Sequence, residues 1–322
     1  MTVEKGYVDA PVAPGTNLVE EIRRLKKEKQ AVVLAHYYQS GEIQDVADMV
    51  GDSLAMAQYA ATLTDARIVV VCGVHFMGET ARLLCPDKKV LIPDLNAGCS
   101  LADSCPPDKF EEFVKAHPGH TVVSYVNTSV GVKALTDVVV TSGNARRVVD
   151  SLPADEKIIF GPDRNLGNYI NAQTGRRMVL WDGACHVHEL FSAEKIAELK
   201  AAHPAARVLV HPECKRPLTL MADCVGSTAA LLKYAQESDA QEFIVATESG
   251  ILHEMRRLCP DKTFIPAPPS DSTCGCNDCA YMKLITLEKL YNTLLHEMPV
   301  VEVDPALAER ARRPIERMLQ LS

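Results

Sequence analysis

The chain has 322 residues, 47% of them hydrophobic, and a formal net charge of -8. That length and apolar content allow a large core divided over two or three compact units. The acidic balance excludes a dominant electrostatic attraction to nucleic acid or acidic membranes, which needs clustered Lys and Arg. No apolar run approaches the ~20 residues that span a bilayer, and the start MTVEKGYVDAPVAPGTN has no apolar core of a secretory signal. The expectation is a cytoplasmic protein acting on small molecules, without nucleic-acid or membrane partners. Its eleven cysteines then read as packing residues, metal ligands or reactive groups before disulfides.

In chain order, a helix within 18–29 precedes VVLAHYYQSGEIQDVADMVGDS at 32–53. This stretch opens as a β-branched strand, ends it on His36 and Tyr38, and places Asp48 and Ser53 before an Ala-rich helical run. ARIVVVCGVHFMGETARLLCPDKKVLIPD then adds strand, helix and strand, and leads to Cys99 in NAGCSLADSC. The pattern returns at 121–142 as TVVSYVNTSVGVKALTDVVVTS, with Tyr125 and Asn127 at the strand end, then Asp137 and Ser142. Behind it come EKIIFGPDRNLGNYINAQTGRRMVLWDG and Cys185 in GACHVHE. A third copy, RVLVHPECKRPLTLMADCVGST at 207–228, carries His211, Glu213, Asp223 and Thr228. QEFIVATESGILHEMRRLCPDKTFIPAP follows, then Cys279 in CGCNDCAYM. Helices at about 283–297 and 305–321 close the chain.

Short strands alternating with helical stretches indicate parallel sheets covered by helices. The predicted fold is α/β: three homologous αβα units arranged with pseudo-threefold symmetry around a central active site. Their extents are 30–115, with the helix at 18–29, then 116–200 and 201–285, with C-terminal helices over 286–322 packing on the units. In open parallel sheets ligands sit beyond the carboxyl ends of strands. A spacing of two puts each strand-end pair on one side of an extended chain. The three aspartates read as turn or packing residues. Ser53, Ser142 and Thr228 read locally as helix N-caps and, beyond that, as anion sites at helix starts.

Cysteine is often a small buried hydrophobe, and Cys72, Cys85, Cys214, Cys224 and Cys259 read as packing. Cys99, Cys185 and Cys279 occupy equivalent loops, one per unit, and three thiolates on a shared axis would bind zinc or an iron–sulfur cluster. Three protein ligands rather than four leave a position open for substrate. His188, just after Cys185, can approach the same centre. A competing reading closes a structural metal site with Cys105, Cys274, Cys276 and Cys279.

These residues resemble the quinolinate synthase family over nearly the whole chain. The resemblance rests on VLAHYYQ with DVADMVGDS, on GVHFMGETARLL and NAGCSLADSC, and on SYVNTS, GPDRNLGNYI and GACHVH. LVHPEC, ADCVGST and ATESGILHEM before the last cysteine complete it. It implies three α/β domains in a triangle around a [4Fe-4S] cluster with one open iron, its ligands matching Cys99, Cys185 and Cys279. It implies condensation of iminosuccinate with dihydroxyacetone phosphate, releasing phosphate and water, in NAD biosynthesis. The open iron would bind a substrate oxygen or nitrogen and assist dehydration. Substrate contacts match His36, Ser53, Tyr125, Asn127, Ser142, His211, Glu213 and Thr228, with Tyr38 and His188 also lining the site. The catalytic set is His36, Tyr38, Tyr125, His188, His211 and Glu213, in which Glu213 with His211, and Tyr38 with His36, would move protons. A functional partner would be the enzyme supplying iminosuccinate. One departure is the CxCxxC of Cys274, Cys276 and Cys279, where some members carry CxxCxxC. Two rivals remain open: an open-iron hydro-lyase acting on a small hydroxy acid, and a non-enzymatic metal-responsive zinc protein.

Overall fold

Uninterrupted apolar runs such as IVVVC become strands buried on both faces, the arrangement expected when helices cover both sides of a parallel sheet. The computed structural model describes residues 3–270 and 277–322. In the first unit the strands are β1 (Ala31–His36), β2 (Met49–Gly51), β3 (Ile68–Cys72) and β4 (Lys89–Leu91). The second unit holds β5 (Thr121–Tyr125), β6 (Val138–Val140), β7 (Ile158–Gly161) and β8 (Val179–Leu180). The third holds β9 (Arg207–Val210), β10 (Cys224–Val225), β11 (Glu242–Ala246) and β12 (Thr263–Pro266). The sheets run β2-β1-β3-β4, β6-β5-β7-β8 and β10-β9-β11-β12, and their strand pairs are parallel. The predicted α/β triplication is the observed fold.

This order determines where a ligand can sit. From β1 the chain crosses to β2 on one side and then returns past β1 to β3 and β4 on the other, so the switch point lies between β1 and β3. Crevices form outside the carboxyl ends of strands at such points. The equivalent places in the other units lie between β5 and β7 and between β9 and β11.

The repeated aspartates have one shared task. Asp48 Oδ2 accepts the Val33 N–H, Asp137 Oδ2 that of Val122, and Asp223 Oδ2 that of Val208, each at 2.8 Å. The second strand of each unit is short and makes few ladder bonds. A charge-assisted bond from the residue just before it pins it to the first strand.

The capping expectation needs correction. Helix Ser53–Thr62 is capped by Asp52, whose Oδ1 accepts the Ala55 N–H at 3.0 Å. Helix Thr228–Glu237 is capped by Ser227, whose Oγ accepts the Ala230 N–H at 3.3 Å. Ser53 and Thr228 are therefore the first helical residues, and their hydroxyls are released from capping. Ser142 precedes helix Ala145–Ser151, whose N-cap position is held by Asn144.

The C-terminal helix Pro305–Gln320 packs on β6 and on helix His75–Leu84, tying the second unit to the first. Helix Leu18–Glu28 packs on Leu287–His296. Among the described residues, no helix is long and apolar enough to cross a membrane. Cys72, Cys85, Cys105, Cys214 and Cys259 are buried, and Cys224 is half-buried. Cys274 and Cys276, and with them the closed site drawn with Cys105, lie outside the described residues.

Candidate active site

The strand ends open onto one shared cavity, placed like the concave, mostly apolar sites that bind small molecules. The first unit contributes His36, Tyr38, Ser53 and Cys99 to its wall. Tyr125, Asn127, Ser142, Cys185 and His188 come from the second, and His211, Glu213, Thr228 and Cys279 from the third. Side chains far apart in sequence thus share one space because equivalent loops of three units turn toward each other.

Two units use the same device to orient a histidine. Nδ1 of His36 accepts the Tyr38 backbone N–H at 3.1 Å, and Nδ1 of His211 accepts that of Glu213 at 3.4 Å. A ring nitrogen that accepts carries no proton, so the hydrogen of each neutral ring sits on Nε2. That of His211 meets Ser142 Oγ at 3.2 Å. Burial brings the pKa of His36 and His211 down to about 3, so both are neutral donors at neutral pH.

Glu213 is the negative charge facing these donors. The Tyr125 hydroxyl donates to its Oε1 at 2.5 Å, and His188 Nδ1 stands 3.2 Å from its Oε2. Burial disfavours the carboxylate, but His188 beside it, with His211 and the Tyr125 hydroxyl, more than reverses this and holds the group below the usual range. Burial first, and then the charge of Glu213, pushes the Tyr38 and Tyr125 phenols well up, so both stay protonated. The Tyr38 hydroxyl lies 2.6 Å from Thr247 Oγ1 and accepts from Thr228 Oγ1 at 3.2 Å. His188 Nε2 lies 3.0 Å from the same Thr247 oxygen, and its ring stacks on His211 with centroids 4.7 Å apart. Asn127 Oδ1 is buried with no hydrogen-bond partner among the described residues, an acceptor left for a ligand.

The family model of NadA, quinolinate synthetase A protein, matches residues 20–320. A quinolinate synthase of Thermosynechococcus vestitus is 55% identical over 306 residues, covering 95% of this chain and 96% of that protein. The quinolinate synthase of Nostoc punctiforme is 55% identical, covering 95% and 94%. That of Chloroherpeton thalassium is 54% identical, covering 95% of each chain. The chain belongs to the quinolinate synthase family. It is an enzyme of quinolinate synthesis, and its chemistry is a condensation.

The cofactor expected of a quinolinate synthase from the sequence is corrected by the donor geometry. Among the described residues, the thiol, imidazole and carboxylate donors that all lie within 4.8 Å of one another belong to Cys185, His188 and Glu213. This group holds one thiol, not the three of a [4Fe-4S] site on Cys99, Cys185 and Cys279. Cys99 and Cys279 line the cavity but stand outside the group. The cause is local. Helix His186–Glu189 begins directly after Cys185 and returns His188 to the same side, while the loop after β9 delivers Glu213 from the facing unit. His188 Nδ1 and Glu213 Oε2 face each other at 3.2 Å and have no other hydrogen-bond partner among the described residues, so a cation held there would take the place of that contact. A thiolate, an imidazole and a carboxylate suit a borderline divalent ion and leave it a free coordination position. Burial raises the Cys185 thiol well up, so its thiolate requires a cation beside it.

Two residues at the site escape the repeat comparison. Thr247 bonds both Tyr38 and His188, and Glu248 lines the cavity from the end of β11. The corresponding positions after β3 and β7 are Val74 and Asp163, so the second and third copies each place a buried carboxylate there and the first does not. The signal available was positional: β11 borders the switch point.

Proposed function

We propose that the cavity condenses iminosuccinate with dihydroxyacetone phosphate to quinolinate, releasing phosphate and water. The observation that carries this is the wall itself: neutral imidazole N–H groups, phenols and freed hydroxyls surround the carboxylate of Glu213, while Glu248 beside them is tied up by Lys283 and two backbone N–H groups. Such a wall can take up carboxylates and a phosphate by hydrogen bonds while keeping one base available.

His36, Ser53, Tyr125, Asn127, Ser142, His211 and Thr228 hold the substrates, with Glu213 among them. Ser53 and Thr228 present hydroxyls at helix starts, where backbone N–H groups also favour anions. Glu213 with His211, and Tyr38 with His36, move protons during isomerisation and ring closure, and Tyr125 and His188 tune Glu213. The two oxygens of Glu213 have different surroundings: Oε1 meets Tyr125, and Oε2 faces His188. Cys185, His188 and Glu213 would hold a metal ion, which would supply Lewis-acid polarisation of a substrate oxygen. Oε1 then remains the face that Tyr125 addresses.

The three units over 30–115, 116–200 and 201–285 act as domains that each supply one wall. The protein works in the cytoplasm beside the enzyme that supplies iminosuccinate, an imine that water hydrolyses. The test is to supply both substrates to the purified protein and follow quinolinate. A dehydrated hydroxy acid formed without the triose would instead assign a hydro-lyase.

A further inference from the structure

Glu248 is fully buried, yet it is not free to move protons, because both its oxygens are engaged. Oε1 accepts the Cys279 backbone N–H at 3.0 Å and pairs with Lys283 Nζ at 2.9 Å, while Oε2 accepts the Gly250 N–H at 2.7 Å. Lys283 in turn donates to the Tyr38 carbonyl at 2.7 Å. The link crosses between units: Tyr38 follows β1 of the first, Glu248 follows β11 of the third.

The neighbouring carbonyls are held in the same way. Gln44 Nε2 donates to Tyr37 O at 3.0 Å, to Gln39 O at 2.8 Å and to Gly250 O at 3.0 Å. A Cβ on Gly250 would come within 2.8 Å of both Tyr37 O and Gln39 O, so only glycine lets the two backbones approach this closely. The three successive carbonyls of Tyr37, Tyr38 and Gln39 are thereby fixed, the outer two by Gln44 and that of Tyr38 by Lys283, and Glu248 holds Lys283 and the Gly250 backbone that packs against them. At its other end the Tyr38 side chain meets Thr247, the residue just before Glu248.

We propose that Glu248 and Lys283 are positioning residues that aim the Tyr38 hydroxyl into the cavity. An ion pair with its carboxylate buried and its lysine half-buried, joined by hydrogen bonds on both partners, acts here by holding geometry rather than by adding stability. The inference rests on Tyr38 belonging to the reacting set proposed above.

The test compares Lys283→Met, Lys283→Arg, Tyr38→Phe and the Lys283→Met/Tyr38→Phe double variant, all as full chains. Misplacing a reacting group by about an ångström costs up to about 10²-fold, so Lys283→Met lowers kcat about tenfold or more. KM stays within about twofold, because ground-state binding is not what is lost. Lys283→Arg, which can still bridge the carbonyl and the carboxylate, restores most of the rate. In the Tyr38→Phe background Lys283→Met costs less than about threefold, since the two act through one group. A full loss in that background, an unchanged Lys283→Met, or no rescue by Arg overturns the proposal. If Lys283→Met does not fold, Glu248→Gln takes its place in the same comparison. A crystal structure of the variant supplies a readout that needs no substrate. A Tyr38 hydroxyl displaced from Thr247 and Thr228 supports the positioning role, and an unmoved one overturns it. A displaced hydroxyl with Tyr38→Phe fully active instead removes Tyr38 from the reacting set.

Discussion

The Tyr125 hydroxyl and Glu213 Oε1 meet at 2.5 Å across the junction of the second and third units. The phenol favours the charged carboxylate, so removing it raises the carboxyl pKa. Tyr125→Phe therefore shifts the acid limb of the kcat/KM profile to higher pH. Glu213→Gln removes the base and costs about 10²–10⁴-fold in rate. Steady-state quinolinate formation across pH measures both.

Capping and ligand contact separate at the helix start of the third unit. Ser227→Ala removes the cap and costs about 1 kcal/mol of stability in urea denaturation. Thr228→Val keeps that cap and removes a hydroxyl that touches Tyr38. It lowers activity with its denaturation midpoint within about 0.5 kcal/mol of the parent. Equal losses of stability in the two variants would return Thr228 to a capping role.

The neutral histidines make the fold acid-sensitive. His36 and His211 have folded pKa values of about 3 against an ordinary 6.5, so between those limits the unfolded chain binds the extra protons. Their stabilising contribution is complete above pH 6.5 and is lost as pH falls toward 3. His211→Gln flattens the dependence of melting temperature on pH in that window by about one proton. Calorimetry at a series of pH values measures the slope.

Metal analysis of anaerobically prepared protein tests the donor group. Cys185→Ala and His188→Ala lose bound metal, whereas Cys99→Ala and Cys279→Ala retain it. Elemental and acid-labile sulfide determinations on the four variants decide. Iron with sulfide, lost equally from Cys99→Ala and Cys279→Ala, would overturn the single-ion group.

Much of this architecture is legible because the chain writes its scaffold three times. Asp48, Asp137 and Asp223 recur in register because each pins a short strand to its neighbour, and the strand ends marked by His36, Tyr125 and His211 follow from that register. What the repeats cannot show is where the copies differ. Glu248 has Asp163 as an acidic counterpart but Val74 in the first unit, so a comparison that demands all three copies passes over it. In the first and third units the cap lies one residue before Ser53 and Thr228, where two polar residues adjoin. The extended backbone of Asp52 and Ser227 decides between them. The approach of His188 to Glu213 depends on how two units face each other, a distance that spacing along one chain does not contain.

The symmetry of the pinned strands stops at the cavity. Their ends read His36 and Tyr38 in one unit, Tyr125 and Asn127 in the next, and His211 and Glu213 in the last. A frame of three repeated units with three unlike walls has no rotation that maps it onto itself. An unsymmetrical molecule therefore has one way to lie within it, and a ring closed there carries its substituents in a single arrangement.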